Sequence, residues 1–562
     1  MIDRRTFLAL ASLLGAGPAA VARAVEASGE EDFLVRLAAA AEGLLDLPMT
    51  AEERRLMADG LGEQLAAYRE LRQVPIPDPV SPALTFDPRP GGDWRPGPTR
   101  SPAARPTAEA LRPPATADGW AFRSAAELGR SVARREVSSL ELTRLYLERL
   151  ERHDPKLLCV ITLLAERALA EAEAADRALA RGESRGPLHG VPWGAKDLLA
   201  TRGSPTTWGA APYRNQSFDQ DASVVTRLGE AGAPLLAKLT LGELAWGDLW
   251  FGGKTRNPWN LEEGSSGSSA GSASAVAAGL VGFALGSETW GSIVSPCDRC
   301  GVSGLRPTFG RISRHGAMAL SWSMDKLGPI ARTVEDLALV FAATYGPDDR
   351  DPWSLDGPGF SWPVRLEPRR LRVGVLAADF ERKSEDDADA ERQALEKAAL
   401  AAVAGLGVDL IPVELPRIPV EPLSIILSAE AAAAFDELTR SGRDDLLSRQ
   451  GTASWQNVFR HSRFIPAVEY LQANRVRRLL IAEMARLFER VDAYLAPPFA
   501  GPNLLLTNLS GHPQAVVPCG FRENGTPVSI TFVGNLFAEA DLLALARAYQ
   551  EATGHHLRHP AL

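Results

Sequence analysis

The chain has 562 residues, of which 45% are hydrophobic and 23% charged, and its formal net charge is −9. The length allows one large domain or several small ones, and the composition is that of an ordinary globular protein. The negative charge argues against a nucleic-acid surface as the main partner. Four cysteines in so long a chain do not make a disulfide scaffold.

Residues 1–24 are predicted to be an export signal. Arg4 and Arg5 form a twin-arginine pattern, a short apolar core follows, and Ala22-Arg23-Ala24 gives a small-x-small cleavage site. The apolar run is shorter than the ~20 residues that a membrane span needs, so no stable membrane anchor is predicted. The signal predicts a periplasmic or secreted protein that is exported folded; an ordinary N-terminal helix is the alternative.

Residues 25–75 are predicted to form a small helical appendage. Leu34 and Leu37 lie on one helical face, and Thr50 offers an N-cap shortly before Glu53. Residues 76–118 hold many prolines with little apolar periodicity. This composition indicates an extended strap or linker, and disorder is an equal alternative.

Residues 119–555 are predicted to be the main domain, in which helical and strand-like segments alternate. Helical patterns and strand patterns are found, in chain order, at residues 140–150, 165–180, 235–238, 371–376, 387–404, 527–533 and 541–551. Such alternation indicates an α/β fold. Residues 346–368 are rich in Gly, Pro and Asp and are predicted to form a surface excursion.

Residues 264–296 are predicted to carry the functional site. The stretch opens with glycines and serines, continues as a small apolar segment that indicates a buried helix and strand, and ends in a second Gly/Ser turn. Two polar turns separated by a rigid buried segment can hold two serines face to face.

Three motifs resemble the amidase signature family: NPWN at 257–260, a Gly/Ser run followed by LGSETWGSI at 285–293, and GVPWGAKD at 190–197. In that family the nucleophilic serine lies 24 residues after a second serine whose peptide bond is cis, which matches Ser292 and Ser268. A lysine in the third motif completes the triad, so the resemblance implies Lys196, Ser268 and Ser292 as catalytic residues.

The resemblance covers roughly residues 119–554 and also implies a fold. We expect the amidase signature fold, an α/β architecture in which helices cover both faces of a large twisted mixed β-sheet. The small N-terminal helical appendage would lie outside this core.

A serine hydroxyl becomes a good nucleophile only when a base removes its proton. The chain has eight histidines, so a Ser-His-Asp triad is the first alternative. A lysine can be the base near pH 7 only if burial lowers its pKa. Apolar residues on both sides of Lys196 and Asp197 favour such burial; the alternative is a surface lysine in a turn.

The hypothesis assigns each group a role. Neutral Lys196 draws a proton through Ser268, Ser292 attacks the carbonyl carbon of an amide, and Ser268 relays the proton to the departing nitrogen. Backbone N–H groups in the turn around the nucleophile are expected to form the oxyanion hole. They belong to Thr289, Trp290, Gly291 and Ser292.

The substrate-binding residues are indicated more weakly. The segment ELAWG at 243–247 resembles the family segment that lines the pocket near the acyl group, which points to Ala245 and Trp246; core packing is the alternative. Trp290, Trp246 and Trp193 hint at an aromatic or apolar pocket. No cofactor and no metal are predicted, because the C-x-x-C of Cys297 and Cys300 has no second pair for zinc.

The motif departs from the family pattern at several positions. Trp290-Gly291 replaces Gly-Gly before the nucleophile, Glu288 replaces an Asp, and Val294 replaces an Arg. Ser266 and Ala270 replace two glycines near Ser268. Because Trp does not easily take a positive φ, these changes raise the alternative of lost activity.

Two further patterns have alternative interpretations. Ser269 is the centre of a G-x-S-x-G match, which in an α/β-hydrolase would mark the nucleophile after a strand. The preceding NLEEGSS does not have the pattern of a strand, so Ser269 is expected to support the turn. Cys297 and Cys300 could form a disulfide in an oxidising compartment, but two half-buried thiols are expected.

The sequence therefore predicts an exported amide hydrolase with a Lys–Ser–Ser triad. The alternatives are the glutaminase-type component of a tRNA-dependent amidotransferase and a catalytically inactive homologue that binds an amide or peptide. The expected partner is a small-molecule amide, with no nucleic acid involved. The sequence leaves a homodimer open and does not identify which amide is cleaved.

Overall fold

The computed structural model describes residues 30–45, 47–71, 73–74, 86–89, 114, 116–364, 368–499 and 501–562. The predicted export signal and most of the predicted strap lie outside this part of the chain. Two compact units are present. The first comprises Met1–Leu84 with Ile418–Leu479, and the second comprises Thr85–Arg417 with Leu480–Leu562.

The helices and strands of the described residues are numbered in chain order. The α-helices are α1 (Glu30–Leu45), α2 (Ala51–Leu71), α3 (Ala125–Ala133), α4 (Ser139–Leu157), α5 (Ala165–Ala180), α6 (Ser223–Glu230), α7 (Ala270–Ala277), α8 (Val294–Cys300), α9 (Val334–Thr344), α10 (Ala377–Phe380), α11 (Asp387–Gly405), α12 (Ile425–Ala434), α13 (Asp436–Arg440), α14 (Trp455–His461), α15 (Ala467–Arg490), α16 (Asn503–Ser510) and α17 (Glu539–Thr553). The strands are β1 (Val160–Leu163), β2 (Trp193–Lys196), β3 (Leu235–Leu239), β4 (Leu249–Trp250), β5 (Gly253–Lys254), β6 (Arg256–Asn257), β7 (Asn260–Gly264), β8 (Phe283–Glu288), β9 (Ser303–Arg306), β10 (Lys326–Ala331), β11 (Val373–Val375), β12 (Leu410–Pro412), β13 (Ala493–Ala496), β14 (Gln514–Phe521) and β15 (Pro527–Gly534).

An eleven-stranded mixed sheet is the core of the second unit, in the order β1-β3-β2-β8-β10-β9-β14-β15-β13-β11-β12. Strand β2 is parallel to both β3 and β8, whereas β10 is antiparallel to β8 and β9. Every residue of β2, β3 and β8 is buried. The α/β fold with a large mixed sheet, predicted from the sequence, is confirmed.

Helix α7 and strand β8 form the buried centre of the second unit, as the apolar stretch predicts. All eight residues of α7 are buried and most are small. A Cβ at Gly271 would lie 2.3 Å from the carbonyl oxygen of Cys159 and 2.4 Å from the nitrogen of Thr240. Because real Cβ atoms do not approach backbone so closely, only glycine lets this helix start where it does.

Most of the other predicted elements of the main domain are confirmed within a few residues. The pattern at 165–180 is α5, that at 387–404 is α11 and that at 527–533 is β15. One prediction was wrong: residues 260–264, expected not to be a strand, form β7. The NPWN turn folds them back onto β6 as a two-stranded antiparallel pair.

The first unit contains α1 and α2, which lie where helical periodicity is predicted. The predicted N-cap at Thr50 is confirmed, because its hydroxyl accepts from the Glu53 N–H at 3.3 Å and the Glu53 carboxylate accepts from the Thr50 N–H at 2.6 Å. Leu34 and Leu61 are buried in the apolar cluster that joins the two helices.

Only short pieces of the predicted strap belong to the described chain. Among them Phe86 is buried and packs edge-on against Phe309, with ring centroids 4.6 Å apart. Phe86 thus belongs to the core of the second unit. None of the helices in the described residues is both long and apolar enough to cross a bilayer.

Candidate active site

Lys196 is the last residue of β2 and is completely buried. The sequence predicts a turn at this position, and that prediction was wrong in detail. The backbone of residues 193–196 pairs with β3 on one side and β8 on the other. A lysine at the end of a central parallel strand projects from a rigid element, not from a flexible turn.

Three serine hydroxyls surround the amine of Lys196. The Nζ atom lies 2.8 Å from Ser268 Oγ, 2.9 Å from Ser287 Oγ and 3.0 Å from Ser269 Oγ. Burial lowers the pKa of Lys196 well below its usual value, against the opposing effect of the Asp325 and Glu288 carboxylates. The amine therefore lies at hydrogen-bonding distance from the first predicted serine and is shielded from solvent.

Ser268 follows a cis peptide bond with Gly267, as the family resemblance implies. A Cβ at Gly267 would lie 1.8 Å from the carbonyl oxygen of Gly247. The Gly/Ser turn therefore presses against the ELAWG segment so closely that no side chain fits between them.

Ser269 and Ser287 form the remainder of the hydroxyl cluster. The Ser269 hydroxyl donates to the Ser287 carbonyl at 3.1 Å and accepts from the Ser287 N–H at 3.1 Å. Ser269 is fully buried, so its role as a supporting residue of the turn fits better than that of an exposed elbow nucleophile. Ser287 was missed from sequence; its position in the LGSE segment at the end of β8, beside β2, was the available signal.

Ser292 lies in the second Gly/Ser turn and is half-buried. Its carbonyl oxygen accepts from the Ser269 N–H at 3.1 Å, which ties the two turns together. Over the described residues its hydroxyl makes no hydrogen bond. The structure thus brings Lys196 and Ser268 into contact and leaves the Ser292 hydroxyl free beside this cluster.

Glu288 holds the turn that carries Ser292. One carboxylate oxygen accepts from the N–H groups of Ile293 and Val294 at 2.8 and 3.0 Å. The other accepts from Arg306 at 2.6 Å and from the Asn508 amide at 2.8 Å. These donors hold the pKa of Glu288 at about 2, although burial opposes them.

The turn of residues 289–292 presents its N–H groups without partners. Within the described part of the chain, Thr289, Trp290, Gly291 and Ser292 donate no backbone hydrogen bond. Gly291 has φ 83°, whereas Trp290 is not among the residues with positive φ. The replacement of the first glycine by Trp is therefore accommodated, because only the second position needs the left-handed conformation.

Several predicted positions differ in environment. Ala245 borders a cavity beside Ser287 and Thr289 and has φ 63°, whereas Trp246 is half-buried and does not border this cavity. Trp193 is a core residue stacked on the ring of Phe283, with centroids 5.9 Å apart.

The expectation of an aromatic pocket built from the three predicted tryptophans is therefore not met. Trp193 lies in the sheet, where a residue of a parallel strand is covered on both faces. The side chain of Trp290 is 44% exposed and does not border the cavity.

A second buried lysine lies next to the site. Lys238, on β3, forms an ion pair with Asp197 at 2.7 Å, and both side chains are fully buried. Asp197 also accepts from the N–H and hydroxyl of Thr207 at 2.8 and 2.6 Å. The carboxylate directly after Lys196 is thus already occupied by Lys238 and Thr207.

Histidine and cysteine have no part in the cluster around Lys196. His512 is hydrogen-bonded to Ser510 at 2.9 Å, and in the described ranges no histidine ring bonds to Ser268 or Ser292. Cys297 and Cys300 are free thiols. They were expected to be half-buried but are completely buried, because α8 packs against the sheet. Over the part of the chain described, no group of three His, Cys, Asp or Glu residues could hold a metal ion.

Comparisons with known proteins agree with this site. The amidase family profile matches residues 141–506. The GatA-type component of glutamyl-tRNA(Gln) amidotransferase from Halorhodospira halophila is 35% identical over 483 residues, which are 78% of this chain and 99% of the relative. Native peptide amidase from Stenotrophomonas maltophilia is 31% identical with a TM-score of 0.68, over 79% of this chain and 99% of that structure.

A further solved structure, 6-aminohexanoate cyclic dimer hydrolase complexed with substrate, is 25% identical with a TM-score of 0.66, over 78% of this chain and 99% of that one. The family profile covers more than half of the chain, and the relatives are covered over nearly their whole length. The chain belongs to the amidase signature family and is a hydrolase that acts on amide bonds.

Proposed function

We propose that the protein cleaves a carboxamide through a serine acyl-enzyme, with Lys196 as base, Ser268 as proton relay and Ser292 as nucleophile. The observation that carries the proposal is the buried Lys196 amine at 2.8 Å from the Ser268 hydroxyl. A lysine in this setting can be neutral near pH 7 and accept a proton.

The hydrogen bonds around the amine support one direction of proton flow. The Ser269 hydroxyl already donates to the Ser287 carbonyl, so it can only accept from Lys196. A neutral amine has two N–H donors and one lone pair. If the donors serve Ser269 and Ser287, the lone pair is left for the proton of Ser268.

The reaction then follows in two steps. Ser268 passes its proton to Lys196 and takes the proton of Ser292, whose oxygen bonds to the amide carbon. The proton returns through Ser268 to the nitrogen as the C–N bond breaks and the amine leaves. Water then attacks the ester carbon, and Ser292 recovers its proton as the acid is released.

The oxyanion formed in each step needs donors that have no other partner. The free N–H groups of Thr289, Trp290 and Gly291 fit this role. A single oxyanion-hole donor contributes roughly 3–4 kcal/mol in a well-studied serine hydrolase. Glu288 would keep these donors in place without contacting the substrate.

The test is hydrolysis of a panel of amides, anilides, carbamates and esters by the wild type and by Ser292→Ala. We expect activity on at least one amide that Ser292→Ala abolishes, together with fluorophosphonate labelling of Ser292. A kcat/KM profile that falls at low pH in the wild type and loses this limb in Lys196→Ala supports the lysine base. Absence of both hydrolysis and labelling would favour the inactive amide-binding homologue.

A second candidate function has specific support, because curated relatives at 35% identity are components of glutamyl-tRNA(Gln) amidotransferases. In that case the enzyme would release ammonia from glutamine and act with partner proteins. Glutamine hydrolysis that exceeds that of every simple amide would favour this candidate. Affinity purification that recovers stoichiometric partner proteins from the native organism would support it independently.

We further propose that the protein is exported by its twin-arginine signal and acts in the periplasm or outside the cell. Arg4, Arg5 and the cleavage site Ala22-Arg23-Ala24 support this proposal. Fusion of residues 1–24 to a reporter should export the reporter, and replacement of both arginines by lysine should retain it inside. Export by the double lysine variant would contradict this route.

A further inference from the structure

A cavity of about 320 Å³ opens beside the candidate catalytic cluster. Ser287, which contacts Lys196, and Thr289, the first residue of the unpartnered turn, both border it. Ala245, from the segment that presses on Gly267, borders it as well. The cavity is therefore continuous with the place where the scissile amide would lie.

One wall of the cavity comes from the segment of residues 350–353, inside the stretch predicted to be a surface excursion. Two backbone hydrogen bonds fix its flanks: the Gly346 N–H donates to Arg311 at 2.9 Å, and the Leu355 N–H donates to Gly310 at 2.8 Å. Asp351 accepts from the N–H groups of Arg314 and Trp353 at 2.7 and 3.0 Å. The segment is thus anchored as a wall.

The charged groups at this wall are already paired. Arg314 Nε lies 3.7 Å from an Asp351 carboxylate oxygen, and its Nη1 donates to the Trp322 carbonyl at 2.7 Å. Arg350 pairs with Asp348 at 3.0 Å. Balanced charges leave little attraction for a charged substrate group.

The remaining walls are largely apolar. Met318, Leu320, Leu327, Trp322 and Trp353 contribute side chains, and His315 adds a polar ring. Trp322 is 38% exposed. An engineered apolar cavity of about 150 Å³ in another protein binds benzene, so this cavity has room for a substituted ring or a branched chain of similar size.

We propose that this cavity binds an uncharged, ring-sized apolar group of the amide substrate, and that the segment of residues 350–353 determines this preference. The inference rests on the proposed function, because it concerns the same site. The group can belong to the acyl side or to the amine side of the C–N bond, and the two arms of the experiment distinguish these sources.

The first measurement compares kcat/KM of the wild-type enzyme for matched amides. The acyl arm uses 3-phenylpropanamide, propanamide and the carboxylate-bearing glutaric monoamide; the amine arm uses N-benzylacetamide and N-methylacetamide. In at least one arm we expect the phenyl compound to exceed its small partner by about tenfold or more. Glutaric monoamide should be the poorest acyl substrate, and a preference for it would overturn the proposal.

The second measurement changes the cavity from two directions. Ala319→Leu fills it and should lower the phenyl-to-small ratio of kcat/KM by about tenfold or more. Trp353→Ala enlarges it and should raise the ratio of naphthyl to phenyl analogues. Ala174→Leu on the exposed face of α5 and Asp349→Ala on the exposed part of the excursion are matched controls that should leave these ratios unchanged.

The outcomes separate this inference from the proposed function. Hydrolysis that Ser292→Ala abolishes, combined with ratios that Ala319→Leu and Trp353→Ala do not move, would overturn the cavity assignment alone. If no amide of the panel is cleaved, the rates at which phenyl-bearing and methyl fluorophosphonates label Ser292 replace the ratio. Equal labelling rates overturn the assignment, and absence of labelling overturns both proposals.

Discussion

Lys196 is tolerated in the interior because hydroxyl oxygens take the place of water around its amine. Three serine Oγ atoms lie within 3.0 Å of Nζ, and none of these partners carries a charge. A carboxylate at the same distance would stabilise the ammonium form and remove the base. The nearest candidate in sequence, Asp197, is occupied by Lys238.

Replacing Lys196 by methionine should change how stability depends on pH. The folded-state pKa of Lys196 lies well below the unfolded value of 10.5. Between these two values the unfolded chain binds one more proton, so the free energy of unfolding rises with pH by up to about 1.4 kcal/mol per unit. Lys196→Met should lose this rise, measured by urea unfolding from neutral pH to about pH 10.

The control is Lys383→Met, which removes an exposed lysine. It should keep the wild-type dependence on pH. Parallel curves for the wild type and Lys196→Met would show that the buried lysine keeps its proton in the folded state.

Glu288→Gln should weaken both the fold and the reaction. The change leaves Arg306, which is fully buried, without its ion pair, and breaking a buried pair costs roughly 3–5 kcal/mol. The turn that carries Ser292 loses a charged acceptor, so kcat should fall more than KM changes. Urea unfolding and steady-state kinetics on the same preparation measure the two effects.

The pH dependence of Glu288 has the opposite sense at the acid end. Its pKa falls from 4.5 to about 2 on folding, so its contribution is complete above 4.5 and is lost as the pH falls to about 2. The shift corresponds to about 3 kcal/mol. Glu288→Asp, which keeps the charge on a shorter chain, should lie between the wild type and Glu288→Gln. Equal stability of Glu288→Gln and the wild type would refute this role.

At the scale of elements, the site consists of two turns placed by the ends of central strands. Strand β2 ends in Lys196, and β8 leads through Glu288 into the turn of Ser292. The Ser269 N–H bonds to the Ser292 carbonyl and joins the turns. The hydroxyls are therefore aligned by backbone contacts that tolerate little additional volume.

Gly267→Ala should inactivate the enzyme while leaving most of the fold intact. The new Cβ would meet the Gly247 carbonyl oxygen at 1.8 Å, so one of the two turns must move. A displacement of about 1 Å at a reacting group can cost on the order of 100-fold in rate. Gly229→Ala in α6, where no atom lies within 4 Å of the added Cβ, is the matched control.

Activity assays and circular dichroism of both glycine variants separate the possibilities. Gly229→Ala should keep wild-type activity and gain slightly in stability, because alanine restricts the unfolded chain. A fully active Gly267→Ala would mean that the two segments can separate without disturbing Ser268.

At the scale of the whole molecule, all four cysteines are free and buried. Burial raises the pKa of each of their thiols, and buried neutral thiols react poorly. We expect a thiol reagent such as DTNB to label none rapidly in the native protein and all four in denaturant without reductant. Two missing thiols after denaturation would indicate that Cys297 and Cys300 are bridged in the mature protein.

The sequence predicted the parts of the site that depend on spacing along the chain. The distance from Ser268 to Ser292, and the motif around Lys196, were readable because the family pattern is local. Ser287 was not recognised, since its contact with Lys196 arises from the pairing of β8 with β2, which no local pattern specifies.

Tertiary packing explains the other differences. Trp193 looked like a pocket residue because it lies near Lys196 in sequence, but adjacent strand residues point to opposite faces and both faces are covered here. The residues 350–353 looked like solvent-exposed loop because their composition is that of a loop. Their anchoring by Asp351 to Arg314 depends on side chains that are distant in sequence.

The account depends most on the charge of one amine at neutral pH. The most direct measurement is NMR of protein labelled with carbon-13 at lysine Cε, with the Lys196 signal assigned by its absence in Lys196→Met. The account predicts the chemical shift of a neutral amine at pH 7, with titration only at lower pH. A Lys196 signal that remains that of an ammonium group up to pH 10 would contradict it.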